Sequence, residues 1–155
     1  MTSLSFFIPG EVSAQGSKKH VGRGVLVDMN KNLQPWRDSI AWAAQEAGRV
    51  ALLKLLGRDI DHTDWPLYTG PVQVALSAAY TRPKSHYGTG KNATVLKDSA
   101  PSWKTSAPDS DKVARAALDA LTASGIWRDD AQVVELHVLK FYSDKPGLEV
   151  WVEEQ

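Results

Sequence analysis

Two stretches of the chain repeat apolar residues with the period of an α-helix. The first covers residues 33–57, where Pro35 suits a first helical turn and Gly57 suits a helix end. The second covers residues 110–124 and ends before Gly125. We predict two helices, each of which packs one apolar side against a core. The apolar sides consist of Ile40, Ala43, Ala44, Ala47, Val50, Ala51 and Leu55 in the first helix, and of Val113, Ala116, Ala117, Ala120 and Leu121 in the second.

Alternation of apolar and polar positions predicts the strands. We expect strands at residues 3–9, 71–80, 131–143 and 148–154, and a short apolar run at residues 25–30 that closes a hairpin with the first of them. The resulting order, β-β-α-β-loop-α-β-β, predicts an α+β fold in which two main helices pack against a small mixed or antiparallel sheet. Four tryptophans lie in these periodic elements and are expected in the core, namely Trp36, Trp42, Trp127 and Trp151.

The length of 155 residues suits a single domain that spans residues 1–155. Cysteine is absent, which excludes a disulfide scaffold, a zinc site with cysteine ligands and thiol catalysis. The chain contains no apolar run long enough to span a membrane and no signal-peptide pattern at its start. We therefore expect a cytoplasmic protein.

The net charge is zero, but the charges are unevenly distributed. Residues 81–104 carry five basic side chains and one acidic side chain, whereas residues 105–155 carry five basic and ten acidic ones. The basic part coincides with a long loop, residues 83–108, that has no apolar period. Phosphate binding requires basic residues and metal binding requires acidic ones, so this neutral chain is compatible with an enzyme that acts on nucleic acid.

The acidic residues concentrate around the second predicted helix. Asp109 and Asp111 stand two positions apart, so in extended backbone both carboxylates point to one side and can bind one divalent cation. Asp129 and Asp130 follow the helix, and they can meet the first pair only if the chain returns through a paired strand. The same residues also suit structural roles, since Asp109 is typical of a helix N-cap and the later pair of a turn.

A polar stripe runs along the second predicted helix. Asp111, Arg115 and Asp119 are four residues apart, and Lys112 lies beside them. A cation next to carboxylates can stabilise the negative charge of a reacting phosphate. The stripe equally fits a solvated helix face with ordinary pairs of opposite charge. On the pattern alone, both interpretations stay open.

Residues 108–142 closely resemble the signature of RusA-type Holliday-junction resolvases from phages and prophages. The matching residues are Asp109, Asp111, Arg115, Asp119-Ala120-Leu121, Trp127 and Asp129-Asp130-Ala131-Gln132-Val133-Val134. Residues 82–93 and the basic loop after the first strand resemble the phage branch of this family. The resemblance implies a RusA-like fold and a homodimeric endonuclease that uses Mg²⁺, with Mn²⁺ as an alternative. Such an enzyme nicks two opposing strands of a four-way DNA junction, here in the cytoplasm of a bacterial host.

The resemblance also implies roles for individual residues. The catalytic set is Asp109, Asp111, Asp130 and Arg115, of which the three aspartates also bind the metal, with Asp119, Asp129 and Lys112 in supporting roles. Arg115 stands where some members have a catalytic lysine. Because arginine does not release its proton, charge stabilisation is the role that Arg115 can share with that lysine. Many phage members have a lysine directly before the Pro-Asp pair, where this chain has Ala107.

Basic residues in the two loops are the candidates for DNA contact. They are Lys18, Lys19, Arg23, Arg82, Lys84, His86, Lys91 and Lys104. Contacts of this kind with phosphates determine the affinity for DNA and its salt dependence. A four-way junction has near two-fold symmetry, which suits a dimer with one active site for each opposed strand. Trp103 in the long loop fits either stacking on an unpaired base or burial.

Other functions compete with this one. A non-catalytic protein that binds branched DNA would keep the basic loops and use the aspartates only as caps. A metal-dependent nuclease that acts on flaps or replication forks would need the same active-site residues. A structural or interaction protein of a phage explains poorly why a basic segment lies directly before an acidic cluster.

Overall fold

The computed structural model of the protein describes residues 2–16, 18–28 and 30–155, and the side chains of Lys18, Val27 and Asp28 are outside the described part. The main elements in chain order are β1 (Ser3–Pro9), β2 (Lys18–His20), β3 (Leu26–Asp28), α1 (Leu33–Leu56), β4 (Val72–Tyr80), α2 (Ser110–Ser124), β5 (Val133–Tyr142) and β6 (Gly147–Glu154). Both predicted helices are confirmed. Each ends at a glycine in the left-handed conformation, Gly57 with φ 62° and Gly125 with φ 79°, as helix C-termini commonly do.

Four strands form one mixed sheet in the order β1-β6-β4-β5. β6 pairs antiparallel with both β1 and β4, whereas β4 and β5 run parallel. Parallel neighbours need a crossover connection, and here it consists of residues 81–132, which include the long basic loop and α2. The predicted α+β class is confirmed, and the sheet is of the mixed kind. None of the described helices is long and apolar enough to cross a membrane.

The hairpin predicted to end at residues 25–30 forms, but its first strand is β2 and not β1. The run at residues 25–30 was expected to pair with β1, but β1 pairs with β6 instead. The hairpin forms between β3 and β2, which lies inside the segment expected to be a loop. Alternate residues of β1, such as Leu4 and Ile8, are buried in the main core, so this strand belongs to the large sheet. Met29, part of the predicted run, is outside the described residues.

The core lies between one face of the sheet and the two helices. In β4, Val72, Val74 and Leu76 are buried, whereas the residues between them are only half-buried. The predicted apolar side of α2 is confirmed, because all five of its residues are buried. Alanines make up much of this side, which allows close approach of α2 to α1 and the sheet.

The predicted apolar side of α1 is partly wrong. Val50 and Leu55 of that side are 41% and 66% exposed, and Trp42, which was expected in the core, is 66% exposed. Apart from Leu33, the buried residues of α1 follow one i, i+4 ridge, namely Trp36, Ile40, Ala44, Gly48 and Leu52. A single ridge is enough because the helix contacts its neighbours along a narrow line, so residues beside that line remain in solvent.

Candidate functional site

The start of α2 presents two carboxylates that make no capping hydrogen bond. Asp109 occupies the N-cap position with φ −69° and ψ 148°, but its side chain makes no capping hydrogen bond. That side chain is 70% exposed, and its nearest cation is Lys112, whose Nζ lies 4.0 Å from Asp109 Oδ2. Asp111 is exposed in the first helical turn. The capping role that the sequence left open for Asp109 is therefore not used, and both carboxylates face solvent.

A lysine from β5 fixes the backbone that leads into this turn. Lys140 Nζ donates hydrogen bonds to the carbonyl oxygens of Ser106 at 2.9 Å and Pro108 at 2.6 Å. The carbonyl of Lys140 in turn accepts from the backbone N–H of Lys104 at 3.0 Å. Sequence reasoning missed Lys140. The feature that points to Lys140 is its register in the sheet. It pairs with buried Ala78 on the side that faces the helices, where a lysine ammonium needs hydrogen-bond acceptors.

The two other polar positions of the α2 stripe have different surroundings. Arg115 is exposed one turn after Asp111. Asp119, by contrast, forms an ion pair with Arg37 of α1 rather than with Arg115. The two residues are 24% and 41% exposed, and Arg37 also donates to Gln15 at 3.4 Å. Arg37 was missed as well, because nothing in the sequence links it to a residue in the other helix.

The far end of α2 forms a separate cleft against α1. This cleft is lined by Gln34, Arg37, Asp38, Asp119, Thr122, Asp129 and Asp130, among others. Asp129 has the turn role that the sequence allowed, since its carboxylate accepts from the N–H of Ala131 at 2.8 Å. The Gln132 side chain completes this capping box by accepting from the N–H of Arg128 and Asp129 at 3.0 and 3.3 Å. Asp130 is exposed beside it.

The three aspartates predicted to bind metal do not meet within one chain. Asp109 and Asp111 lie at the start of α2, whereas Asp130 lines the same cleft as Thr122, near the end of that helix. The helix rises about 16 Å between positions 111 and 122, at about 1.5 Å per residue, while magnesium takes its ligands at about 2.1 Å. Among the residues that the structure describes, no three acidic or histidine side chains form a group that could bind a metal ion.

Several of the basic-loop residues predicted to bind DNA contact aromatic rings. Arg82 lies 5.4 Å from the ring centre of Tyr142, and Lys104 lies 5.0 Å from that of Tyr80. His86 packs edge-on against Tyr142 at 4.8 Å. Burial, together with the Glu11 carboxylate, raises the pKa of Tyr80 to about 12. Arg82, Lys104 and His86 therefore stabilise the loop, and the arginine and the lysine also add positive charge to it.

The remaining loop cations are exposed. Lys84 and Lys91 lie in short 3₁₀ turns at the surface of the basic loop. Trp103 is 59% exposed and forms a bridge with Phe141 at the end of β5, so it is not a core residue. In the hairpin, Lys19 and Arg23 are exposed, while the side chain of Lys18 is outside the described part.

Comparison of the sequence with known proteins identifies the family of this chain. The profile of the family described as endodeoxyribonuclease RusA matches residues 9–153. An uncharacterized protein of Bacillus subtilis (strain 168), YqaN, is 34% identical over 159 residues, which cover 99% of this chain and 98% of that protein. The crossover junction endodeoxyribonuclease RusA of Escherichia coli (strain K12) is 49% identical over 47 residues, which cover 30% of this chain and 39% of that protein. The RusA protein of Shigella sonnei (strain Ss046) matches to the same extent. The chain belongs to the RusA endodeoxyribonuclease family.

Proposed function

We propose that this protein is a metal-dependent endonuclease that resolves four-way DNA junctions as a homodimer. The observation that carries the proposal is the pair of uncommitted carboxylates, Asp109 and Asp111, at the start of α2 with cations beside them. Relatives with the matching segment are named crossover junction endodeoxyribonucleases, which supports a junction as the substrate.

The donor set at the start of α2 fits magnesium. Mg²⁺ prefers oxygen ligands, keeps several waters, and is commonly bound by one or two carboxylates together with substrate phosphates. Asp109 and Asp111 offer such carboxylates in an exposed position, where neither is used for capping. The nearby Lys112 and Arg115 suit a phosphate that arrives with its own negative charge.

A second copy of the chain is proposed to complete the site. β5 is an edge strand of the four-stranded sheet. Its apolar side chains Val134, Leu136 and Leu139 are 63%, 40% and 49% exposed. Residues 102–104 pair with the end of this edge, at Lys140 and Tyr142, whereas no hydrogen bond from another described segment covers the outer edge over residues 133–139. This open part, with its apolar side chains, is a template for a two-fold, antiparallel pairing with itself. That pairing brings the start of one β5 beside the end of the other. Asp130 precedes the start, and Lys140 at the end contacts the residue before Asp109, so Asp130 of a second copy would join Asp109 and Asp111.

The proposed reaction is hydrolysis of one phosphodiester bond in each of two opposed strands. When bound, Mg²⁺ would supply positive charge next to the phosphate and a water that loses its proton more readily than bulk water. The water releases one proton to solvent as its oxygen bonds to phosphorus, the bond to the departing sugar oxygen breaks, and that oxygen takes a proton from solvent. Arg115 and Lys112 stabilise the charge on the phosphate oxygens, and Arg115 retains its proton throughout.

The test is cleavage of an end-labelled four-way junction beside a linear duplex, a flap and a fork of the same sequence. We expect paired nicks in the junction with Mg²⁺, none with EDTA, and none with Asp111→Asn protein that still binds the DNA. Binding without cleavage under any divalent cation would favour the non-catalytic binder. Equal cleavage of flaps or forks would favour the other nuclease class.

Mixing inactive variants tests the shared site. Asp111→Asn and Asp130→Asn proteins should each be inactive, but heterodimers of the two contain one intact site, so co-refolding should restore nicking at about a quarter of the sites. A mixture of Asp109→Asn and Asp111→Asn is the matched control, because every site in it lacks one carboxylate. If the first mixture is as inactive as the control, Asp130 does not act across a dimer.

A further inference from the structure

The tip of the β2–β3 hairpin exposes apolar side chains that the nuclease chemistry does not use. Val21, Val25 and Leu26 are 57%, 51% and 57% exposed. The two strands form a sheet of their own, separate from the main one. Three exposed apolar side chains close together in the sequence at one hairpin tip mark this tip as a candidate contact surface.

The turn at this tip has a defined shape. The backbone N–H of Val25 donates to the carbonyl of Gly22 at 3.0 Å, and the N–H of Val21 donates to the carbonyl of Val25 at 3.0 Å. Arg23 and Gly24 both have positive φ, 49° and 75°, the combination found in hairpin turns of type I′. A positive φ is uncommon for a residue other than glycine, so the turn presents Arg23 between the two valines at a strained position.

Both feet of the hairpin are fixed close to the start of α2. Gln15, before β2, donates its backbone N–H to the carbonyl of Lys112 at 3.1 Å. Asn30, after β3, donates its side-chain amide to the carbonyl of Ala14 at 2.8 Å. One cleft is lined by residues of both feet together with Asp109 and Lys112. The hairpin therefore begins beside Asp109, one of the two carboxylates of the proposed active site.

We propose that the hairpin tip recognises the branch point of DNA by inserting Val21 and Val25 against unstacked bases. This inference rests on the proposed function, since it takes branched DNA as the substrate. At a branch, terminal base pairs expose a face that is stacked in continuous duplex, and apolar side chains can cover such a face. The cations Lys19 and Arg23 on the same hairpin suit the flanking phosphates. A mixed apolar and basic tip fits nucleic acid better than a second copy, which would meet the same positive charges.

The inference predicts that variants of the hairpin tip lose affinity for a four-way junction but not for a linear duplex. Val21→Ser/Val25→Ser protein should lose about tenfold in affinity for a four-way junction and little for a linear duplex of the same sequence. Measurements in EDTA exclude cleavage. A 2-aminopurine placed beside the branch should brighten when the unaltered protein binds and stay quenched with the double variant. Val50→Ser on the exposed side of α1 is the matched control, and it should behave like the unaltered protein.

Each outcome separates the two proposals. If the unaltered protein prefers the junction and the double variant keeps both this preference and the 2-aminopurine signal, the hairpin proposal is overturned while the nuclease proposal stands. If the unaltered protein shows no preference for the junction, both are overturned. If the double variant changes the mass measured by light scattering but not DNA binding, the valines belong to a protein interface and the hairpin proposal is overturned.

Discussion

Lys140 on the edge strand β5 donates a hydrogen bond of 2.6 Å to the carbonyl of Pro108, the residue before Asp109. The bond joins the sheet to the start of α2, where the two uncommitted carboxylates lie. Because Asp109 makes no capping bond of its own, its position depends on the backbone that precedes it. Lys140 is thus a positioning residue in the proposed active site, although it is 31 positions away in the chain.

Replacing Lys140 by Met should lower turnover more than DNA binding. The variant leaves two carbonyls without their donor, and displacement of a reacting group by about 1 Å can cost a hundredfold in rate. We expect turnover on a four-way junction to fall by about tenfold to a hundredfold, and the free energy of unfolding to fall by about 1–2 kcal/mol. Lys140→Arg should recover part of the turnover, because a guanidinium also donates to carbonyls.

Single-turnover cleavage, affinity in EDTA and urea unfolding together check this prediction. Lys145→Met, in the exposed turn after β5, is the control and should change none of the three. A Lys140→Met protein with normal turnover would show that the start of α2 does not need this contact.

The basic loop should contain two kinds of cation. Exposed Lys91 should contribute one phosphate contact, so Lys91→Ala should weaken junction and duplex binding alike and reduce the slope of log affinity against log salt by about 0.9. Arg82 donates to the carbonyl of Pro101 at 2.7 Å and lies over Tyr142, so Arg82→Ala should loosen the loop itself. Salt titrations and limited proteolysis distinguish the two effects. Lys54→Ala in the last turn of α1 is the control, and a change of slope there would contradict the assignment.

Two buried tyrosines should differ in how the loss of their hydroxyl groups changes the free energy of unfolding. Tyr68 donates to the carbonyl of Val152 at 3.2 Å, whereas the Tyr80 hydroxyl is buried without a partner among the described residues. Tyr68→Phe should therefore lower the free energy of unfolding by about 1 kcal/mol, and Tyr80→Phe should leave it unchanged or raise it by about 1 kcal/mol. Urea unfolding at pH 7 measures both, and an equal loss in the two variants would contradict the prediction.

Alkaline pH should destabilise the protein through the same residues. Burial is the main cause that raises the pKa of Tyr68 and that of Tyr80, the latter to about 12. In the unfolded chain tyrosine ionises near pH 10, so the folded state retains a proton that the unfolded state has lost. The stabilisation is complete below about pH 10 and decreases as the pH rises towards 12. In Tyr80→Phe this decrease should be shallower, which unfolding curves at successive pH values will show.

Trp65 should make Gly48 of α1 hard to replace. A Cβ at Gly48 would lie 2.6 Å from Cη2 of Trp65, and a Cβ at Gly125 would lie 2.9 Å from its indole nitrogen. The ring lies between these two glycines and cannot move away from either. We expect Gly48→Ala to lower the free energy of unfolding by about 1–2 kcal/mol, although alanine favours helix by up to about 1 kcal/mol. In a Trp65→Phe background the smaller ring frees the space, so the sign of the effect should reverse.

Local pattern predicts the elements of this fold well. The periods of α1 and α2 and the glycines that end them are properties of neighbouring residues, so both helices could be located from sequence. The side of α1 that is buried could not, because it depends on which ridge contacts the sheet. Leu55 is apolar and in phase with the predicted side, yet it is 66% exposed, as is Trp42 on the opposite side of the helix.

The site was predictable only in part. Asp109 and Asp111 are recognisable as a motif, and their exposed position agrees with a functional role. The place of Asp130 depends on the direction of β5: that strand does return to the start of α2, but it brings Lys140 there and leaves Asp130 at the other end. The Arg37–Asp119 ion pair joins residues 82 positions apart, and no local pattern encodes it.

The position of β6 between β1 and β4 determines when this sheet can assemble. The strand nearest the end of the chain, Gly147–Glu154, separates the first strand from the rest of the sheet. Until it is synthesised and in place, β1 has no partner in the main sheet. Contacts between residues so distant in sequence make folding slow, because the closure of a long loop must precede any gain from pairing. On the ribosome, the helices and the β4–β5 pair can form earlier, but β1 joins the sheet only after residues 147–154 emerge.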